Sequence, residues 1–386
     1  MAVVGAGHSL FGTWKGDTRS LFAEALKEAF GSVDKGLYPG FIEEAFIGSL
    51  GFGGGQLGNL GAYVLDGTPL RGIPTRRVEN ACASSGFAFR DAYLAIRSGA
   101  RSLVLAGGIE RMNDLSPTRQ RFWLGVSGDT EWERLAGLTF PGVYALMARR
   151  HMHEFGTTRE QLAEVAVKNH SYGAYNKKAQ FQKAVTPEQV LGAPMVADPF
   201  TRYHCCSTTD GAAAVILASE ERAKEFTDDP IWVRGSGAAS DYLSLADRES
   251  LTELLATKKA AKDAFRDAGI EIGKVNFAEV HDCFTIAEIL ALEDLGFCRK
   301  GEGGKVTASG ETRIGGKLAV NPSGGLKAKG HPLGATGAAQ IYEVFQQFRG
   351  RVEKERQVPD PSWALTHNVG GSGATCAIHI FSRETP

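Results

Sequence analysis

Three short stretches of this 386-residue chain carry side chains that could work together as a nucleophile and its acid–base partners. In "VENACASSGFAFRDAYLAIRSGA", Cys82 stands where an extended run gives way to an alanine-rich helical one. Unpaired backbone N–H groups and the positive end of a helix dipole stabilise a thiolate at such a position, lowering its pKa below the free value of about 8.5. A nucleophile also needs a base. His331, in "NPSGGLKAKGHPLGATGAAQ", follows a glycine, precedes a proline and heads a second helical run. In "AEVHDCFTIAEIL", a strand continued through residue 283 turns His281 and Cys283 to one side and Val280 and Asp282 to the other. An imidazole and a thiol then share one space. The loop "THNVGGSGAT" adds His367, Asn368 and closely approachable backbone amides, which suit an oxyanion or a pantetheine chain. Each feature also has a purely structural reading. Cys283 can be a buried core thiol, Cys82 a small residue at a tightly packed helix start, and His331 an exposed loop residue.

The elements that must position these groups alternate between strand and helix. The first half offers the strand "AVVGAG", the helix "TRSLFAEALKEAFGSV", the strands "EEAFIGSL" and "PTRRVEN", a helix over 83–98 and the strand "SLVLAGGIE". The second offers the helix "ELLATKKAAKDAFRDAG", the strand "FAEVHD", the helix "TIAEILALEDLG", the strand "KLAVNPSGG", the helix "TGAAQIYEVFQQFRG" and the strands "WALTHNV" and "ATCAIHIF". An α/β order run twice is the result. Between the halves, a stretch richer in charge and aromatic residues reads as an insertion that covers a site.

Composition narrows the partner. Lys plus Arg total 43 against 44 for Asp plus Glu, which argues against nucleic acid or an acidic membrane and for a small molecule. No apolar stretch reaches the ~20 residues of a membrane span. The start reads as a strand and the end carries no peroxisomal tripeptide, so a cytoplasmic protein is expected. Six cysteines without C-x-x-C spacing imply free thiols. The nearest approach to a metal cluster is "YHCCSTTDG", whose adjacent ligands seldom close a tetrahedral site, so no metal is expected. Neither glycine loop matches a nucleotide-phosphate cradle.

Taken together, "NACASSG" at Cys82, "HDCF" at 281–284, "GHPLGATG" at 330–337 and "HNVGGSG" at 367–373 resemble the four active-site loops of the thiolase superfamily, in order and spacing. The resemblance covers essentially the whole chain. The later loops are most similar to the sterol-carrier-protein type and its archaeal acetoacetyl-CoA relatives. Common biosynthetic thiolases carry Asn-Glu-Ala-Phe at 281–284, and a catalytic cysteine where this chain has His367. The resemblance implies a five-layered α/β/α/β/α sandwich of two similar halves. Residues 1–112 with 196–235 form the first half, 113–195 a loop domain over the substrate, and 236–386 the second half.

It also implies chemistry: CoA-dependent cleavage of a 3-oxoacyl-CoA, or the reverse Claisen condensation, with coenzyme A as co-substrate and no bound cofactor. Cys82 takes the nucleophile's place. His331 takes that of the group that activates it, helps bind the thioester oxygen and serves as base in the second half-reaction. His281 replaces an asparagine of the first oxyanion hole. The backbone N–H of Cys82 and one near Val369 or Gly370 form the second hole, with Asn368, His367, Ser323, Gly324 and Gly325 as further binding candidates. Cys283 stands where it could replace the family's second thiol.

Arg119, Arg121, Phe122, Trp123 and His204 are candidates for recognising a larger, aromatic or carboxylated acyl group such as benzoylsuccinyl, or alternatively a surface contacting CoA or another subunit. Members are commonly dimers or dimers of dimers, and some join a small zinc-ribbon/OB-fold protein. The rival readings are a non-thiolytic aldolase or binding subunit and a decarboxylating ketoacyl synthase. Cys82 speaks against the first, Cys283 against the second.

Overall fold

A computed structural model describes residues 1–385. Ten strands form the frame: β1 (Ala2–His8), β2 (Glu44–Gly48), β3 (Thr75–Val78), β4 (Leu103–Glu110), β5 (Gly211–Ala218), β6 (Ile231–Ser240), β7 (Phe277–Glu279), β8 (Ala319–Val320), β9 (Trp363–Gly370) and β10 (Thr375–Ser382). Their spatial order is β8-β7-β9-β10-β6-β1-β5-β4-β2-β3. In the first half β3, β2 and β4 are parallel, β5 runs antiparallel to β4, and β1 antiparallel to β5. The second half repeats the pattern with β8, β7 and β9 parallel, then β10 and β6. The halves join where Ala2 and Val3 of β1 meet Trp232 and Ile231 of β6.

Each half sheet is apolar on both faces, so helices must cover both. The helix Thr18–Gly31 covers the outer face of the first half through Leu21, Phe22 and Ala25. The helix Leu255–Ala268 does the same for the second through Ala256, Ala260 and Ala264. Between the sheets lie the helices Ser84–Arg97 and Thr336–Phe348, which bury Ala88, Phe89 and Ala92 with Ala338, Ile341 and Phe345. Each large apolar side chain so buried stabilises by roughly 1.5–3 kcal/mol. These are the five layers that the resemblance implies. The central helices touch at their N-termini, where only glycine fits. A Cβ on Gly337 would lie 2.4 Å from the Gly86 nitrogen and 2.3 Å from Asn368 Oδ1. Cys82 and His331 precede these two helices, so the approach brings their loops together.

The chain between β4 and β5 folds over the second half. Helices Phe140–Phe155 and Arg159–Gly173 pack Tyr144 and Leu162 against Cys283, Phe284 and Ile286. No helix among the described residues is long and apolar enough to cross a membrane.

Two expectations need correction. β7 stops at Glu279 instead of running on through residue 282 or 283, because Asn321 Oδ1 takes the Val280 N–H at 2.8 Å. The sequence reading also lacks strands β5 and β6. In β6, a Cβ at Gly235 or Gly237 would sit 2.2 or 2.0 Å from the carbonyls of Ala264 or Ala260, so these glycines permit close strand–helix contact rather than a turn.

Candidate active site

Cys82 sits on a sharp turn between β3 and the first central helix, and its side chain is buried. Ala81 before it has φ +49°, a left-handed conformation that costs a non-glycine residue about 1–2 kcal/mol. Ser84 holds the turn, its hydroxyl accepting from the Asn80 N–H at 3.0 Å and donating to the Ala81 carbonyl at 2.6 Å. The backbone N–H groups of Gly371 and of Cys82 itself point to the thiol.

Two imidazoles face it. Cys82 Sγ and one nitrogen from each of His281 and His331 all lie within 4.8 Å of one another, and the rings meet edge-on with centroids 5.0 Å apart. Nε2 of both histidines is buried without a protein partner. His331 is fixed from behind: its backbone N–H donates to Thr209 Oγ1 at 2.9 Å, and Nδ1 lies 2.7 Å from Thr336 Oγ1. Among the described residues this trio is the group of Cys, His and acidic side chains close enough to hold a metal ion.

Burial decides the charges. It pushes the Cys82 thiol well above its ordinary value, and the helix N-terminus does not reverse this, which corrects the expected resting thiolate. Burial, then the charges of Lys327 and Lys329, brings His331 down to about 3. His281 is held well below the usual histidine range by burial, then by His331 and His367. At neutral pH these shifts favour a thiol between two neutral imidazoles.

The thiol opens into a cavity of about 100 Å³, lined on its apolar side by Met112, Leu124, Phe140, Pro141, Phe284 and Leu333. Cys283, Cys205, Cys206 and His331 also line it, whereas His281 meets Cys82 and His331 without lining the cavity, so the space expected of His281 and Cys283 is shared by His331 and Cys283. Asp282 turns away and accepts from the Leu326 N–H at 2.7 Å and from Asn169 Nδ2 at 2.7 Å. Burial raises the Cys283 thiol, followed by Cys206 and Cys82, while the Tyr144 hydroxyl at its side opposes the rise. Glu110, buried at the end of β4, gathers the surrounding loops: its carboxylate accepts from the N–H groups of Leu50, Gly51, Phe52 and Gly334 at 2.8–3.0 Å.

Comparison with known proteins settles the lineage. The family described as "Thiolase, N-terminal domain" matches residues 1–221, and "Thiolase C-terminal domain-like" matches residues 237–383. This chain belongs to the thiolase family. It is 46% identical over 387 residues to an acetyl-CoA acetyltransferase of Methanothermobacter thermautotrophicus, covering 99% of each chain. It is 34% identical to the benzoylsuccinyl-CoA thiolase subunit BbsB of Thauera aromatica, covering 96% of this chain and 94% of that protein. Among solved structures, the Ltp2-ChsH2(DUF35) aldolase superposes with a TM-score of 0.83 at 24% identity, covering 99% of this chain and 97% of that one.

Several residues of this thiolase lie elsewhere than the sequence suggested. His367 turns from the cavity to Thr257, with Nε2 2.9 Å from its hydroxyl; Asn368 is the side chain of β9 that faces Cys82. Val369 packs in the outer core and Gly370 ends β9, so the amide at the thiol belongs to Gly371, at φ +62°. Ser323 donates its hydroxyl to Glu279 at 2.6 Å, and Gly324 and Gly325 turn the chain beneath Asp282, so none of the three lines the cavity. His204 is buried beside Thr201, its Nδ1 accepting the Thr201 N–H at 3.1 Å; only its neighbours Cys205 and Cys206 reach the cavity.

The arginine and aromatic candidates also miss it. Arg119 lines a separate groove of about 320 Å³, Arg121 is exposed, and Phe122 lies under Arg134 with the guanidinium 4.2 Å from its ring centre. Trp123 packs behind Phe52; Leu124 and Ser127 are what this segment gives the cavity. Glu110, Tyr144, Thr336 and Gly371 are site residues that the sequence motifs did not single out.

Proposed function

We propose that this thiolase interconverts acetoacetyl-CoA plus CoA and two molecules of acetyl-CoA through an acetyl-Cys82 intermediate. The observation that carries the reading is the meeting of Cys82 Sγ with the imidazoles of His281 and His331, whose Nε2 atoms have no protein partner, beside a cavity that Cys82 shares with His331 and Cys283. The cavity's small volume and apolar lining, with no charged side chain among the described residues that form it, favour a short acyl chain over a bulky carboxylated one. The name of the archaeal relative points the same way.

In the cleavage direction Cys82 Sγ adds to the keto carbon as His331 Nε2 takes its proton. The backbone N–H groups of Cys82 and Gly371 receive the developing oxyanion. The carbon–carbon bond then breaks. The electron pair passes to the acetyl-CoA enolate, whose oxygen faces His281 and the protonated His331, and Cys283 delivers a proton to its carbon. In the second half CoA attacks the acetyl thioester from the place the enolate left. His331, having passed its proton to the Cys283 thiolate as acetyl-CoA leaves, takes the CoA thiol proton. Cys82 departs and recovers its proton from His331, and all groups return to their starting state.

We further propose that the enzyme works as an oligomer, either a homodimer or with a small zinc-ribbon/OB-fold subunit. Trp132, Leu135 and Tyr242, which are 77%, 80% and 60% exposed, are the apolar groups such contacts would cover. Purified protein given acetoacetyl-CoA and CoA should deplete the enolate absorbance and form two acetyl-CoA. Consumption of a bulkier 3-oxoacyl-CoA with acetoacetyl-CoA untouched would overturn the substrate, and consumption of neither would overturn the reaction.

A further inference from the structure

We propose that Asn368 is a positioning residue that locks His281 in the tautomer with its proton on Nε2, so that His281 gives a hydrogen bond to the reacting oxygen while His331 stays a base. The inference deepens the function proposed above and rests on it for its catalytic consequence alone. It starts from the Asn368 amide, which is buried and cannot be turned over. Oδ1 accepts the Gly86 N–H at 3.2 Å, and Nδ2 donates to the Cys82 carbonyl at 3.0 Å. Both partners are backbone groups whose donor or acceptor character is fixed by chemistry. Exchanging oxygen and nitrogen would oppose donor to donor at Gly86 and acceptor to acceptor at Cys82.

The second Nδ2 hydrogen is then left for His281 Nδ1, 3.4 Å away. That nitrogen must be bare to receive it. Burial keeps the ring neutral, so its single proton resides on Nε2, the buried atom without a protein partner. His331 is held the other way round. Thr336 gives its only hydroxyl proton to the Pro332 carbonyl at 3.0 Å, so its oxygen can only accept from His331 Nδ1–H at 2.7 Å. His331 Nε2 is therefore bare. Two neighbouring imidazoles of the same intrinsic chemistry thus become one donor and one acceptor, each set by a single residue behind it.

The test uses long-range proton–nitrogen NMR correlations of the histidine rings in the full-length labelled protein at neutral pH, with His281 assigned through H281Q and His331 through H331Q. In the parent protein the proton should lie on Nε2 of His281 and on Nδ1 of His331. In Asn368→Asp a carboxylate oxygen faces His281 Nδ1, so a proton should appear there while the His331 pattern stays unchanged. Exchange of the acetyl-CoA methyl protons with solvent, which forms the enolate whose oxygen His281 holds, should fall on the order of 10²-fold. A parent spectrum with His281 protonated on Nδ1 overturns the lock, as does an Asn368→Asp spectrum that keeps Nε2–H alone. If Asn368→Asp does not fold, the parent spectrum still decides. Correct tautomers in a protein that fails to cleave acetoacetyl-CoA would sink the proposed function and leave the lock standing.

Discussion

In the first half of the thiolase, the strand β4 ends in Glu110, whose carboxylate accepts N–H groups from residues 50, 51, 52 and 334. In the second half the equivalent strand β9 carries Asn368 two residues before its end, and this side chain holds the Cys82 carbonyl and the Gly86 N–H. Each strand end therefore fastens a loop of the other half: Glu110 the loop after His331, Asn368 the loop of Cys82. The halves differ in what they present. The first presents the thiol of Cys82 on a turn where Ala81 is left-handed, and the second presents both imidazoles and the thiol Cys283. A repeated α/β frame thus gives two loops at matched positions, and under the proposed function the residue types on each decide whether a loop attacks or moves protons.

The largest effect expected from breaking this division is in the second half. Replacing His331 with alanine removes the base for Cys82 and should lower acetylation of Cys82 by about 10²–10⁴-fold, measured in single turnover with acetyl-CoA. A loss under tenfold would move the base role elsewhere. The first half is sharpened by pH. Because burial raises the Cys82 thiol, its alkylation by iodoacetamide should climb about tenfold per pH unit from 7 to 9, following the thiolate fraction. A plateau near pH 7 would show a resting thiolate and contradict the neutral thiol.

Glu110→Gln tests the cross-bracing between halves. An amide NH₂ in place of one carboxylate oxygen meets backbone donors and leaves at least one buried N–H unpaired, at a cost of about 1–3 kcal/mol in chemical denaturation. A change within 0.5 kcal/mol, about the scatter of a surface substitution, would show that the loops hold without it. The smallest effect is expected at the loop segment. Arg119→Ala with Arg121→Ala should leave kcat/KM for acetoacetyl-CoA within about twofold, as for surface changes away from packed or paired groups. A selective loss on that substrate would return the pair to acyl recognition.

How far the sequence could be read follows the same physical lines. Cys82, His281, Cys283 and His331 were legible because each lies in a short motif at the exit of a strand or the head of a helix. Glu110 was not, since its partners lie 58 to 224 residues away and offer only backbone N–H groups, which leave no mark in a sequence. The sequence offers His367 and Asn368 together, but only Asn368 turns to the Cys82 loop while His367 turns to Thr257, because neighbouring residues of a strand face opposite sides. The same alternation moved the thiol-facing amide to Gly371. Strands β5 and β6 went unread because their alanines and glycines answer to helices packed at van der Waals contact, a tertiary demand that overrides β propensity.

The central claim is that Cys82 and Cys283 divide the work, one carrying the acyl group and the other the proton at the enolate carbon. One paired measurement on Cys283→Ala tests it most directly: the Cys82 acetyl adduct by mass spectrometry, and exchange of the acetyl-CoA methyl protons with deuterated solvent by proton NMR. The account predicts an adduct on Cys82 at close to the parent level together with loss of exchange. Exchange at the parent rate, or an adduct on another cysteine in the parent protein, would contradict it.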